Sequence, residues 1–117
     1  AIQKGISFSF FEHIQKLVPL HEDEWAEFLN VSLKTLQRNR KASDFHFKPI
    51  HSEKIFELAE VSQLGLQVFD SPEQFRDWLN SPNLALANHL PKNLLQNSYG
   101  KELVMDELHR IDHGIFT

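Results

Sequence analysis

No cysteine occurs in the 117 residues, which excludes disulfides and thiolate metal sites and fits a reducing cytoplasm. Glycine and proline number only four and five, too few for a collagen-like or low-complexity chain. No apolar run approaches the roughly 20 residues a bilayer-spanning helix needs. Nothing near the first residues has the layout of a signal peptide, so the expectation is a cytoplasmic protein with no membrane partner. No stretch alternates with period two, which removes the usual strand signal. A phosphate-cradling glycine loop, a nucleophile elbow and a Ser-His-Asp arrangement are all missing. The sequence therefore nominates no catalytic residue and no cofactor, and the chain reads as a non-enzyme. Net charge is -4, whereas a general nucleic-acid binder is usually basic.

What is present is ordinary globular material. Hydrophobic residues make up 41% and charged ones 24%, enough for one compact domain or two half-sized helical units sharing a core. Phe8, Phe11, Ile14, Leu17 and Val18 recur at helical spacing, with a cap at Ser7 or Ser9 and a stop at Pro19. A second helix is expected from Glu22 to Leu29, acidic in its first turn where the helix dipole favours carboxylates. Ser32 caps a third that reaches about Arg40, followed by a polar connection to Pro49. The segment from Ser52 to about Phe69 is apolar over most of its circumference and predicts a central core helix, weakened slightly by Gly65. Ser71, Pro72 and Gln74 read as cap, first residue and capping-box partner of a fifth helix ending at Leu79. A loop from Asn80 to Leu90, a short helix from Pro91 to about Leu95 and a turn from Asn97 to Gly100 precede the last helix. That helix carries Val104, Leu108, Ile111 and Ile115, and Gly114 is placed to end it. The fold class is all-α with about seven helices, divided as residues 1–49 and 50–117.

The cations are concentrated. Between Val31 and Lys48 stand Lys34, Arg38, Arg40, Lys41 and Lys48 against Asp44 alone, a local excess of four positive charges in an acidic protein. The segment Glu22 to Asn39 also has helix-turn-helix spacing. Ala26 is small where the helices must approach, Val31 and Leu36 can plug the angle between them, and Asn30 holds the turn position that favours a left-handed residue. Asn39 stands where an apolar inward residue is expected. In this reading the exposed side of the third helix presents Ser32, Lys34, Thr35, Gln37, Arg38 and Lys41 to DNA, the cations for phosphates and Gln37 or Arg38 for base edges. A plain helical hairpin with a solvated basic face is the alternative.

His109 and His113 lie four apart, the spacing of a zinc pair, but no third ligand and no general-base glutamate accompany them, so no metal is assigned. Asp106 can pair with Arg110 at i,i+4. Ile115 and Phe116, beyond the helix end, are either anchors for another protein's pocket or part of this protein's own core.

Ordered blocks along the second half settle which reading is preferred. They are Val68 through Leu86, which includes Asp70-Ser71-Pro72 and Trp78-Leu79-Asn80-Ser81-Pro82-Asn83, then Pro91-Lys92-Asn93-Leu94-Leu95, Ser98 through Val104, and Leu108 through Phe116. Together they resemble the toxin-binding domain of the Xre/MbcA/ParS antitoxin family, and the first half is similar to that family's Xre-like helix-turn-helix. Two positions depart from the family pattern, Asn88 where glycine is frequent and Leu90 where threonine is. The resemblance implies an antitoxin of a type II toxin-antitoxin system whose partner is a NAD-consuming RES-domain toxin. It implies that the C-terminal region covers the toxin's active site, that the antitoxin forms a homodimer, and that the helix-turn-helix binds operator DNA and represses the operon, with Arg40 joining Lys34, Thr35, Gln37 and Arg38 as DNA candidates. Carried over residue by residue, toxin contact falls on His109, Arg110, Asp112, His113, Gly114, Ile115 and Phe116, supported by Trp78, Asn80, Pro82 and Asn83. The competing expectation is a stand-alone helix-turn-helix regulator whose second half only dimerises.

Overall fold

The structure, a computed structural model, describes residues 4–114. Seven α-helices and one 3-10 turn account for its regular elements. They are α1 (Phe8–Leu17), α2 (Glu22–Phe28), α3 (Leu33–Lys41), α4 (Pro49–Val68), α5 (Pro72–Leu79), the 3-10 turn Leu84–Leu86, α6 (Pro91–Leu94) and α7 (Ser98–Asp112). The all-α expectation holds. The chain forms two compact units that divide between Ala59 and Glu60, so α4 contributes residues to both. No helix among the described residues is long and apolar enough to cross a membrane.

The first unit is organised by aromatic rings. Phe11 and Trp25 are fully buried, their centroids 5.0 Å apart at 84°, the edge-to-face geometry that aromatic quadrupoles prefer. Phe8 lies edge-on to Phe11 at 5.2 Å and stacks on Phe47 at 5.5 Å. Phe47 is only 3% exposed, so the connection after α3, which looked merely polar, supplies a core residue. It is held there by its backbone N–H, which donates to the Ile6 carbonyl at 2.9 Å. Ser7 rather than Ser9 caps α1, its Oγ accepting from the Phe10 N–H at 3.2 Å. The central helix starts three residues earlier than expected, at Pro49, because proline's fixed φ and missing N–H suit a first turn. Ile55, Leu58, Val61 and Leu64 are buried along it, whereas Phe56 is exposed beside Phe10.

The second unit packs short helices closely. Helix propensity makes Gly65 a weak point of α4, but a Cβ there would stand 2.2 Å from the Phe75 ring. The bare backbone is what admits Phe75, which is fully buried. Gly100 plays the same part for α6, since its Cβ would meet the Leu94 carbonyl oxygen at 1.9 Å. The turn expected at Asn97–Gly100 is thus already helix: Asn97 caps α7, its side chain accepting from the Gly100 N–H at 2.8 Å. Ser71 caps α5 as its sequence context foretells, accepting from the Gln74 N–H at 3.1 Å. Val104 and Leu108 are buried. Lys101 is buried too, with its Nζ 2.7 Å from Glu60 and 3.1 Å from Glu102.

Candidate functional sites

The turn between α2 and α3 follows from local chemistry. Asn30 takes φ 57, the left-handed conformation asparagine tolerates better than most residues. That rotation directs the Asn30 N–H to the Glu27 carbonyl at 3.1 Å and the Val31 N–H to the Ala26 carbonyl at 3.0 Å. The pair is the Schellman closure that satisfies the last carbonyls of a helix. Ala26 is buried, and Leu36 is fully buried on the inner side of α3, so the two helices meet as the spacing anticipated. Ser32 opens α3 by accepting from the Thr35 N–H at 3.0 Å.

At about 100° per residue, Lys34, Gln37, Arg38 and Lys41 fall within an arc of about 100° on the side opposite Leu36. All four are exposed, as is Ser32. Thr35 is half-buried, its hydroxyl accepting from Ser32 Oγ at 2.9 Å and from an Arg38 terminal nitrogen at 3.4 Å. Arg40 is placed differently. Its guanidinium reaches Glu22 at 2.6 Å, Glu12 at 3.2 Å and the Gln15 amide oxygen at 3.3 Å. It also lies 5.1 Å over the Phe8 ring, a cation–π contact. It braces α3 against α1 and α2 while the other cations face outward.

In the second unit α7 carries the exposed candidates His109, Arg110, Asp112 and His113. Arg110 forms a two-pronged pair with Glu107, Nε to Oε1 at 2.9 Å, not the expected pair with Asp106. That carboxylate holds the guanidinium above its ordinary value. His109 and His113 stack with centroids 6.4 Å apart, and among the described residues no group of three potential metal ligands converges. Gly114 takes φ 63 just past the helix; Ile115 and Phe116 lie outside the described residues.

The supporting candidates sit around the 80–90 loop. Trp78 is half-buried against Phe69 and Phe75. Asn80 closes α5, its Nδ2 donating to the Arg76 carbonyl at 2.9 Å, and Pro82 is exposed. Asn83 organises the loop: its side chain accepts from the Leu86 N–H at 3.2 Å, and its carbonyl accepts from the Asn88 N–H at 2.7 Å. Ala87 and Asn88 are both left-handed, φ 57 and 68. Asn88 thus occupies a left-handed position of the kind glycine favours, which gives its departure from the family pattern a physical footing.

Three apolar residues of this unit that sequence pattern does not single out are exposed: Leu84 at 86%, Tyr99 at 80% and Leu103 at 43%. A signal was available, because Tyr99 and Leu103 are four apart and share a helix face with Arg110.

A short helix, a left-handed asparagine and a second helix bearing an outward row of cations define a helix-turn-helix protein, followed along the chain by a second helical unit. Residues 1–60 match the antitoxin Xre-like helix-turn-helix domain, and residues 64–114 match the antitoxin Xre/MbcA/ParS C-terminal toxin-binding domain. The chain belongs to the Xre/MbcA/ParS antitoxin family. It is 25% identical over 118 residues to Antitoxin Xre of Yersinia enterocolitica, an alignment spanning 100% of this chain and 79% of that protein. Its fold is similar to a chain in the crystal structure of the M. tuberculosis MbcT-MbcA toxin-antitoxin complex, with TM-score 0.71 and 19% identity over 93% of this chain and 96% of that one.

Proposed function

We propose that this antitoxin neutralises a cognate NAD-consuming RES-domain toxin by laying its C-terminal region over the mouth of the toxin's active site, and that a homodimer represses the operon through α2, the turn and α3. The observation that carries the first half is the construction of α7. Val104, Leu108, Lys101 and Glu107 fix one side of the helix, while Tyr99, Leu103, Arg110 and His113 stand on the other. A rigid helix presenting apolar anchors and a cation suits a protein partner, because little side-chain and backbone freedom is left to lose on binding. His109, Asp112, Gly114, Ile115 and Phe116 continue this contact in the proposal, with Trp78, Asn80, Pro82 and Asn83 shaping the ground beneath it.

Deleting residues 114–117 tests the mechanism in cells that co-express the toxin. Protection is expected to disappear while helical circular dichroism stays; undiminished protection overturns the occlusion mechanism. The DNA half rests on the row Lys34, Gln37, Arg38 and Lys41 with Ser32 and Thr35 at the helix start. Arg38→Ala should lower the salt slope of operator binding by about one, whereas Arg40→Ala should weaken binding with the slope kept, since Arg40 acts through the angle of α3. Strong operator binding by a protein that no toxin joins would favour the stand-alone regulator instead.

A further inference from the structure

Helix-turn-helix packing asks for an apolar side chain where this protein has Asn39. In the structure Asn39 lines a cleft of about 290 Å³ on the inner flank of α3, together with Leu29, Val31, Thr35, Phe47 and His51. The volume sits at the lower edge of the about 300–1,000 Å³ usual for small-molecule sites. Leu29 and Phe47 are at most 3% exposed, so two walls are fixed by the core and the space needs no rearrangement to exist. Phe45 extends the apolar lining, and the ring pair it makes with Phe47 at 4.9 Å and 84° holds it in place.

Beside the neutral Thr35 and Asn39, the ionisable groups that line the cleft are all bases. Lys48, His46 and His51 line it, and none of the lining residues carries a carboxylate; Asp44 approaches from outside, 3.9 Å from His46 Nδ1. An uncompensated cation beside apolar walls attracts an anion more strongly than it would in open water, because the low-dielectric wall screens it less. We propose that the cleft binds a small carboxylate with an apolar body, its chain against Leu29, Val31, Phe45 and Phe47 and its carboxylate toward Lys48 and His51. Burial and then the Lys48 charge hold the His51 imidazole below its ordinary value, so in mildly alkaline solution the ring meets the carboxylate as a neutral hydrogen-bond donor beside the Lys48 charge. Val31 belongs to the turn and Thr35 to α3, so the ligand rests on the back of the helix whose front carries the cations.

The test is a titration of the full chain with hexanoate at pH 8, followed by amide chemical shifts, with hexan-1-ol as the uncharged comparison. A small ligand in a site this size binds at roughly millimolar strength. Saturable shifts should centre on Val31, Thr35 and His51. Asn39→Leu, which restores the apolar residue the motif expects and so should fold, is expected to weaken binding at least tenfold, and Lys48→Gln about threefold to tenfold. Absence of saturation at tens of millimolar, or equal affinity in Asn39→Leu, overturns the site. Hexan-1-ol binding as tightly as hexanoate overturns the carboxylate assignment.

Discussion

The two units solve the problem of a small core in different ways. The first gathers Phe8, Phe11, Trp25, Phe45 and Phe47 into contiguous ring contacts, so a few large side chains tie α1 and α2 to the segment that follows α3. The second has a smaller ring group, Phe69 with Phe75 and Trp78, and relies more on aliphatic burial and the close approach that Gly65 and Gly100 permit; side-chain caps serve both, at Ser7 and Ser32 in the first and at Ser71, Asn83 and Asn97 in the second. Short helices are marginal by themselves because nucleation is costly, so each needs core packing in addition to its caps. In the first unit the outer side of α3 is left to the polar row Lys34, Gln37, Arg38 and Lys41. Both units expose large apolar side chains, Leu17, Ile50 and Phe56 among those of the first and Leu84, Tyr99 and Leu103 in the second.

The largest expected effect separates the units by their two tryptophans, one in each. Trp25→Ala removes a fully buried ring that touches Phe11 and should cost about 3–5 kcal/mol. Trp78 is half-buried, and Trp78→Ala should cost about half as much. Urea denaturation of the two variants checks the ratio. Equal losses would mean that the ring cluster is not the distinctive support of the first unit.

The sequence makes some of this contrast legible. Serine caps before helical runs, Asn30 at a turn and Ala26 four residues earlier are local signals, and local hydrogen bonding decides them. The aromatic cluster is only half legible: Phe8 and Phe11 show a period, but Phe47 lies in a connection and enters the core through a pairing with Ile6 that no spacing announces. Arg40 is the clearest limit. Its partners Glu12 and Glu22 are 28 and 18 positions away, so in the sequence it is one cation of a basic run, and only the fold turns it into a brace. The glycines mislead for the same reason, since propensity counts what Gly65 and Gly100 cost their helices and not the Phe75 ring or Leu94 carbonyl they admit.

A smaller effect distinguishes the units by pH. His51 in the first titrates below its ordinary 6.5, through burial and then Lys48. The unfolded chain therefore binds its proton more readily, and the stability tied to the neutral ring is level above pH 6.5 and lost as pH falls from there. For Lys101 in the second, burial opposes the ammonium but the hydrogen bonds and charges of Glu60 and Glu102 outweigh it, so it titrates above 10.5. Its contribution is complete below 10.5 and lost as pH rises past the elevated value. With Trp78→Phe reporting on Trp25, and Trp25→Phe reporting on Trp78, denaturation series should show the first unit's acid arm flattened by His51→Gln. The second unit's alkaline arm should be flattened by Lys101→Met. A change in the wrong arm for either substitution refutes the assignment.

The smallest effect concerns what a cap-and-turn unit does with strain. Ala87 and Asn88 are consecutive left-handed residues, and for alanine that conformation costs about 1–2 kcal/mol through its Cβ. Replacing it by glycine removes the clash but adds about 0.5–1 kcal/mol of unfolded-state entropy. Ala87→Gly should therefore stabilise the protein by about 0.5 kcal/mol, where the same change at an ordinary helical alanine would destabilise it. Asn88→Gly should be closer to neutral, because asparagine already tolerates the region. Paired thermal denaturation of the two variants decides the matter. A loss of stability in Ala87→Gly would show that the alanine methyl group makes a packing contribution larger than its strain, and would place the 83–89 loop with the side-chain-packed first unit and not with the turns that hold the second.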